Sequence, residues 1–208
     1  MKILFDGVKE FSKKEFEKNK NLFKKLSETQ DPHTLFIGCS DSRVVPDLIT
    51  KSLPGDLFVV RNIANVVPIY RKTSGYLSTT SAIEYAVNVL NIENIVVCGH
   101  SNCGGCRAVF INDKQLKKIP HTKKWLELLK GPKLKAKELV KNFKNKKDIE
   151  WLLEQENIIE QMNHLLTYPF IKEKFKKGRI NIYGWYYHIG SGSVFNYNLE
   201  SKKFEKIK

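Results

Sequence analysis

Thr34-Leu35-Phe36-Ile37-Gly38-Cys39-Ser40-Asp41-Ser42-Arg43 decides the fold, together with Ile95-Val96-Val97-Cys98-Gly99-His100-Ser101-Asn102-Cys103-Gly104-Gly105 about sixty residues later. Each stretch begins with a short apolar run and passes into glycine and small polar residues. Such runs of β-branched and aromatic residues read as buried parallel strands entering loops. As neighbours in one sheet, they bring Cys39, His100 and Cys103 together just beyond their carboxyl ends. Open α/β sheets bind ligands at that edge. Two thiolates and an imidazole make three zinc ligands and leave the fourth tetrahedral position to water or another group, the pattern of a catalytic metal site.

Outward from these stretches the pattern alternates. Pro46 is placed to begin a short helix through Ile49, and Pro54-Gly55 turns the chain into a strand over Leu57 to Val60. From about Ser74 to Leu90, residues Leu77, Ala82, Ile83, Ala86, Val87 and Leu90 keep a helical rhythm that returns the chain to the strand Asn94 to Cys98. Gly104-Gly105 bends the backbone into a helix running to about Phe110. Neither a GxGxxG fingerprint nor a Gly-Lys-Ser/Thr ending is present there, so a nucleotide site is unsupported. Thr122 to about Phe175 reads as several helices broken at Gly131-Pro132 and Tyr168-Pro169, with Ile149, Leu152, Leu153, Ile159, Met162 and Leu166 as a buried stripe. A strand over Ile180 to Tyr187 then turns at Ser191-Gly192 into Val194 to Tyr197. The expected fold is α/β, a mainly parallel central sheet flanked by helices and closed by a C-terminal strand pair. Residues 1–208 fit one domain.

Residues 1–28 form a helical arm ahead of the first strand, with Val8, Phe11, Phe16, Leu22, Phe23 and Leu26 among many Lys and Glu. No earlier element covers those aromatics, so the arm packs either on a partner subunit or on its own domain. The first residues hold too short an apolar run for a secretory signal, and no stretch approaches a membrane span. Four cysteines (39, 98, 103 and 106) in such a chain argue for reduced thiols and a cytoplasmic home. The formal charge of +14 raises nucleic acid, an anionic membrane surface or anion steering. Only five of the 36 basic residues are arginine, and they do not cluster. Nucleic-acid readers rely on Arg for bidentate contacts, so the charge reads as a lysine-rich composition, and neither a nucleic-acid nor a membrane partner is expected.

Cys39 to Arg43 followed by Gly99 to Gly105 resembles the β-class carbonic anhydrases. The likeness continues through Pro54-Gly55-Asp56-Leu57-Phe58-Val59-Val60-Arg61-Asn62-Ile63-Ala64-Asn65, Ala82-Ile83-Glu84-Tyr85-Ala86 and Gly184-Trp185-Tyr186-Tyr187, most of the chain from about Gln30 onward. The resemblance implies attack of zinc-bound hydroxide on CO2, release of bicarbonate, and loss of a proton to regenerate the hydroxide. It implies that Asp41 orients that hydroxide while Arg43 keeps Asp41 ionised and turned from the metal; without that pairing Asp41 is a possible fourth ligand in a closed state. Gln30, Phe58 and Tyr85 match the residues lining the CO2 pocket of plant-like members, and the Gly104 N–H is a second anion donor. A homodimer or dimer of dimers with the site at the interface is implied. Some bacterial members hold regulatory bicarbonate beside a Trp whose position here is Phe36, which lacks the indole N–H.

Two rival readings remain. Carbonyl sulfide or carbon disulfide hydrolysis uses the same scaffold and ligands. A structural-zinc binding protein requires Cys106 as a fourth ligand, since Cys103 and Cys106 form a C-x-x-C that also fits a redox pair. His33, His121, His164 and His188 are isolated in the sequence, and none is singled out as a proton carrier.

Overall fold

The computed structural model describes residues 1–72, 75, 77–143, 145 and 148–208, with only the backbone of residue 113. Three short helices, α1 (Lys2–Lys13), α2 (Glu15–Lys18) and α3 (Lys20–Leu26), precede strand β1 (Thr34–Cys39). Helix α4 (Pro46–Thr50), β2 (Leu57–Asn62), α5 (Ser78–Asn88) and β3 (Asn94–His100) follow. After α6 (Gly104–Ala108) come α7 (Asp113–Leu116), α8 (Pro120–Leu126), α9 (Lys130–Leu139), α10 (Asp148–Leu165) and α11 (Pro169–Lys176). Strands β4 (Asn181–His188), β5 (Ser193–Asn198) and β6 (Lys203–Lys206) close the chain.

The six strands form one sheet in the order β2-β1-β3-β4-β5-β6. The first four run parallel; β5 and β6 continue antiparallel. This is the expected α/β architecture with its helical arm. On one face of the sheet Leu35, Ile37, Ile95, Val97 and Ile182 pack against Ile83, Ala86 and Val87 of α5 and against Ile158, Met162 and Leu165 of α10. Burying each such side chain is worth roughly 1.5–3 kcal/mol, so this face anchors the strand ends. Helix α10 comes close because Gly99 and Gly184 have no side chain: a Cβ on Gly99 meets Ile158 at 2.8 Å, and one on Gly184 meets Met162 and Ile158. A second cluster, with Ala64, Leu129, Leu152 and Leu153 around Cys39, Cys103 and Cys106, lies beneath the loops after β1 and β3.

Several details differ from the sequence reading. Gly131-Pro132 does not break the helix; both lie in the first turn of α9, where a missing N–H is tolerated, and a 3-10 turn over Glu127–Leu129 marks the boundary. Pro169 opens α11. The start expected at Ser74 for the helix after β2 lies outside the described residues, and α5 begins at Ser78. Strand β6, with Phe204 as its one half-buried residue, extends the expected C-terminal pair to a third strand. The arm buries no residue within the chain. Phe11, Phe16 and Phe23 pack on one another with centroids 5.2–6.5 Å apart, while Ile3, Leu4, Phe5 and Val8 face solvent.

Candidate metal centre

Strands β1 and β3 are adjacent and parallel, with Gly38 in register with Cys98, so their ends deliver Cys39 and His100 to the same edge. Beyond His100 the chain turns through Asn102, whose φ of 56° is the left-handed conformation that asparagine tolerates. Cys103 follows as the residue that caps α6. Serine 101 fixes this loop to β4: its N–H donates to Tyr187 O (3.0 Å) and its Oγ accepts the Ile189 N–H (3.0 Å). One donor atom each from Cys39, His100 and Cys103 lie within 4.8 Å of one another, and all three residues are buried.

The donor set fits zinc. Two sulfurs each about 2.3 Å from a tetrahedral ion stand roughly 3.8 Å apart; Cys39 Sγ and Cys103 Sγ are separated by 3.9 Å. His100 Nδ1 lies 3.0 Å from Ser101 O, which fixes the proton on Nδ1 and leaves Nε2 with its lone pair. Nε2 is buried without a hydrogen-bond partner, an arrangement that a metal satisfies. The Cys39 thiol is pushed up to about 12, first by its hydrogen bond with Cys103 and then by burial. The Cys103 thiol is also raised, chiefly by a hydrogen bond with Cys106. Two neighbouring sulfurs out of water keep their protons unless a cation compensates the charge. Cys106 is buried but lies outside this group of donors.

Asp41 stands at the rim. Its Oδ1 accepts hydrogen bonds from Arg43 N (3.0 Å) and Arg43 Nε (2.9 Å), and its Oδ2 accepts one from Arg43 Nη2 (2.8 Å). Arg43 Nη2 also donates to Asn102 O (3.1 Å), which ties the Cys39 loop to the His100 loop. The guanidinium holds the Asp41 carboxyl well below the usual carboxylate range, with burial opposing the shift. Oδ2 is 3.8 Å from His100 Nε2, the partnerless donor of the Cys39, His100 and Cys103 group.

Two residues outside the sequence candidates support this arrangement. Arg61, in register with Gly38, donates from Nε to Cys39 O (2.9 Å) and from Nη2 to Asp41 O (2.7 Å). Glu154 of α10 is buried, accepts the Cys103 N–H on Oε1 (2.8 Å) and accepts the Tyr186 O–H on Oε2 (2.9 Å). Burial raises its carboxyl to about 6 against the pull of those two hydrogen bonds. Arg61 stands within the Pro54–Asn65 block, but its role depends on strand register; Glu154 carries no local signal. A cleft of about 550 Å³ opens beside Ser40 and Arg61 and is lined further by Thr79, His121 and Trp125.

The expected pocket residues are not gathered at this centre within one chain. Phe58 is in register with Leu35, four residues before Cys39, which is about 13 Å along a strand. Its ring lies 5.9 Å from that of Tyr85, whose side chain is exposed. Gln30 is exposed between α3 and β1. Gly104 is the exception: it adjoins Cys103 at the start of α6, and a Cβ there would meet no atom within 4 Å.

The sequence model of the family described as carbonic anhydrase matches residues 34–194. A carbonic anhydrase of Helicobacter pylori strain J99 is 41% identical over 205 residues, covering 98% of this chain and 93% of the relative. One from Synechococcus elongatus is 33% identical, covering 97% of this chain and 73% of the relative. Among solved structures, the β-carbonic anhydrase CcaA superposes with a TM-score of 0.93 at 35% identity, over 100% of this chain and 99% of that one. Tetrameric β-carbonic anhydrases from Sordaria macrospora give 0.81 at 30% identity, over 93% and 94%. The sequence match and the superposition cover the strands and loops that build the Cys39, His100 and Cys103 centre, and the chain belongs to the β class of the carbonic anhydrase family.

Proposed function

We propose that this protein catalyses the reversible hydration of CO2 to bicarbonate and a proton, with zinc held by Cys39 Sγ, His100 Nε2 and Cys103 Sγ. The partnerless Nε2 of His100 between two thiols is the observation that carries this reading. Bound there, zinc supplies the Lewis acidity that lets water react with CO2 near neutral pH.

The chain's own residues set direction and charge. Ser101 O holds the His100 proton on Nδ1, so that Nε2 is available as a donor. Glu154 fixes the Cys103 backbone from behind. Asp41 accepts a hydrogen bond from the reacting water and fixes its orientation, and Arg43 keeps that carboxylate ionised and turned aside. This pairing supports an open state rather than one in which Asp41 occupies the fourth position. Phe36 supports the same state, because it is fully buried, edge-on to Trp185, and offers no N–H for a regulatory anion. The Gly104 N–H serves as a donor to a bicarbonate oxygen in this reading, supported by its place at the start of α6 next to Cys103.

Gln30, Phe58 and Tyr85 complete the CO2 pocket of a partner subunit. Their distance from their own metal centre and the exposure of Tyr85 support this assignment. The arm supports it too, since Ile3, Leu4, Phe5 and Val8 find no cover in their own chain, and an apolar cleft of about 340 Å³ beside Phe36, Val96 and Trp185 lies open on the sheet. A dimer or a dimer of dimers is the proposed assembly, and the Sordaria β-carbonic anhydrases are tetrameric. All four cysteines are free, as suits the cytoplasm. Among the described residues no helix is long and apolar enough to cross a membrane. Stopped-flow hydration of CO2 by zinc-loaded protein tests the reading, with carbonyl sulfide and carbon disulfide as competing substrates. Turnover of either sulfur compound without CO2 hydration overturns it.

A further inference from the structure

The charge of this protein is concentrated. Residues 113–147 hold thirteen lysines against three acidic residues, so ten of the fourteen net positive charges sit in 35 of 208 residues. A lysine-rich composition alone spreads charge along the chain and does not account for this. Its described part includes α7, α8 and α9, its inner residues Leu126, Leu129 and Ala136 pack beneath the ligand loops, and the mechanism uses none of its lysines.

Helix α9 organises part of this charge. Pro132 and Ala136 are buried and Leu139 is half-buried, which fixes the inner side of the helix. Lys130, Leu134 and Lys137, at i, i+4 and i+7, share the outer side, and Lys141 continues it one turn on. All four are exposed, Leu134 at 59%. Among the described residues no carboxylate pairs with Lys130, Lys137 or Lys141; Glu138 flanks the row, and Lys124 and Lys135 are paired with Glu127 and Glu156. Just past Lys141, Phe143 packs edge-on against Trp151, each 41% exposed.

We infer that the outer side of α9 docks this protein on an anionic phospholipid surface, in departure from the sequence expectation of no membrane partner. A cluster of lysines around one exposed leucine, with exposed Phe143 beyond the helix and Trp151 on α10, suits a polybasic peripheral contact with anionic headgroups. The ammonium groups meet lipid phosphates while Leu134 enters the headgroup boundary. A nucleic-acid surface is disfavoured because no arginine occurs between Arg107 and Arg179. Binding is peripheral and reversible, and it leaves the metal centre untouched.

The test is co-sedimentation of the zinc-loaded protein with vesicles of equal parts phosphatidylcholine and phosphatidylglycerol, against vesicles of phosphatidylcholine alone. Binding to the anionic vesicles only, weakening with salt, is expected. Each lysine at an anionic surface strengthens binding roughly fivefold, so Lys130→Glu, Lys137→Glu and Lys141→Glu combined, which reverse three charges, lower partitioning by at least about a hundredfold. Leu134→Ser lowers it severalfold while keeping the charge. Circular dichroism and CO2 hydration of these variants stay at parental values, which separates lost docking from lost folding. Three results overturn the inference: equal binding to both vesicle types, full binding by the triple variant, or affinity for RNA above that for anionic vesicles with no effect of Leu134→Ser.

Discussion

Replacing Arg61 with methionine removes two hydrogen bonds and no metal donor. Arg61 Nε and Nη2 hold the carbonyl oxygens of Cys39 and Asp41 at 2.9 and 2.7 Å, on either side of Ser40. Hydrogen bonds to a charged group contribute about 1.5–3 kcal/mol each when shielded from water. Arg61 is largely exposed and water replaces it at both carbonyls, so the expected loss of stability is only about 1–3 kcal/mol. The Ser40 N–H bond to Asn62 O (2.9 Å) stays and keeps the loop on β2. Activity is more sensitive in the proposed mechanism, where Asp41 orients the reacting water. A displacement near 1 Å at a reacting group lowers rate by up to about a hundredfold, so the hydration kcat of Arg61→Met falls between roughly tenfold and a hundredfold, with zinc content unchanged. Arg61→Lys restores one donor and recovers part of the rate. Urea unfolding, zinc analysis and stopped-flow hydration measure the three quantities. A methionine variant with parental stability and parental kcat refutes the idea that Arg61 positions the loop.

Other outcomes follow from the same geometry. Cys39→Ser, His100→Ala and Cys103→Ser each lose bound zinc by metal analysis, whereas Cys106→Ser retains it; loss of zinc in Cys106→Ser removes the three-ligand assignment. Glu154→Leu strands the Cys103 N–H and the Tyr186 O–H in a buried site, and unfolding in urea shows it less stable by about 2–5 kcal/mol, whereas Glu154→Gln loses less. Removing residues 1–28 shifts the protein towards monomer in analytical ultracentrifugation and lowers hydration with it, because the pocket is then incomplete; a fully active monomer contradicts the shared pocket.

The parts of the site that were legible in the sequence are those fixed by local order. Cys39 and His100 each end an apolar run, and parallel strands place their carboxyl ends together, so the donor set follows from two short stretches. Asp41 and Arg43 lie within four residues of Cys39 and pair locally. Arg61 reaches the loop only because β2 lies beside β1 with Arg61 opposite Gly38, and strand register is not written in a single strand. Glu154 is a carboxylate on the buried side of α10, among Leu152, Leu153 and Met162 of the apolar stripe. Asn157 and Gln161 share that side: Asn157 Nδ2 donates to Ala64 O (2.9 Å) and Gln161 Oε1 accepts the Val67 N–H (2.8 Å). Polar residues serving a distant backbone interrupt a hydrophobic pattern without announcing their partners. Lys203-Phe204-Glu205-Lys206 has too few apolar residues to read as a strand and forms β6 by pairing with β5.

The central question is whether Cys39, His100 and Cys103 hold catalytic zinc. The direct measurement strips the protein with a chelator, titrates zinc back, and follows CO2 hydration by stopped flow at each addition. Hydration that is absent without metal, rises in proportion to zinc and levels off at about one ion per chain is the predicted result. Hydration that is unchanged by metal removal, or zinc that binds without raising the rate above buffer, contradicts it.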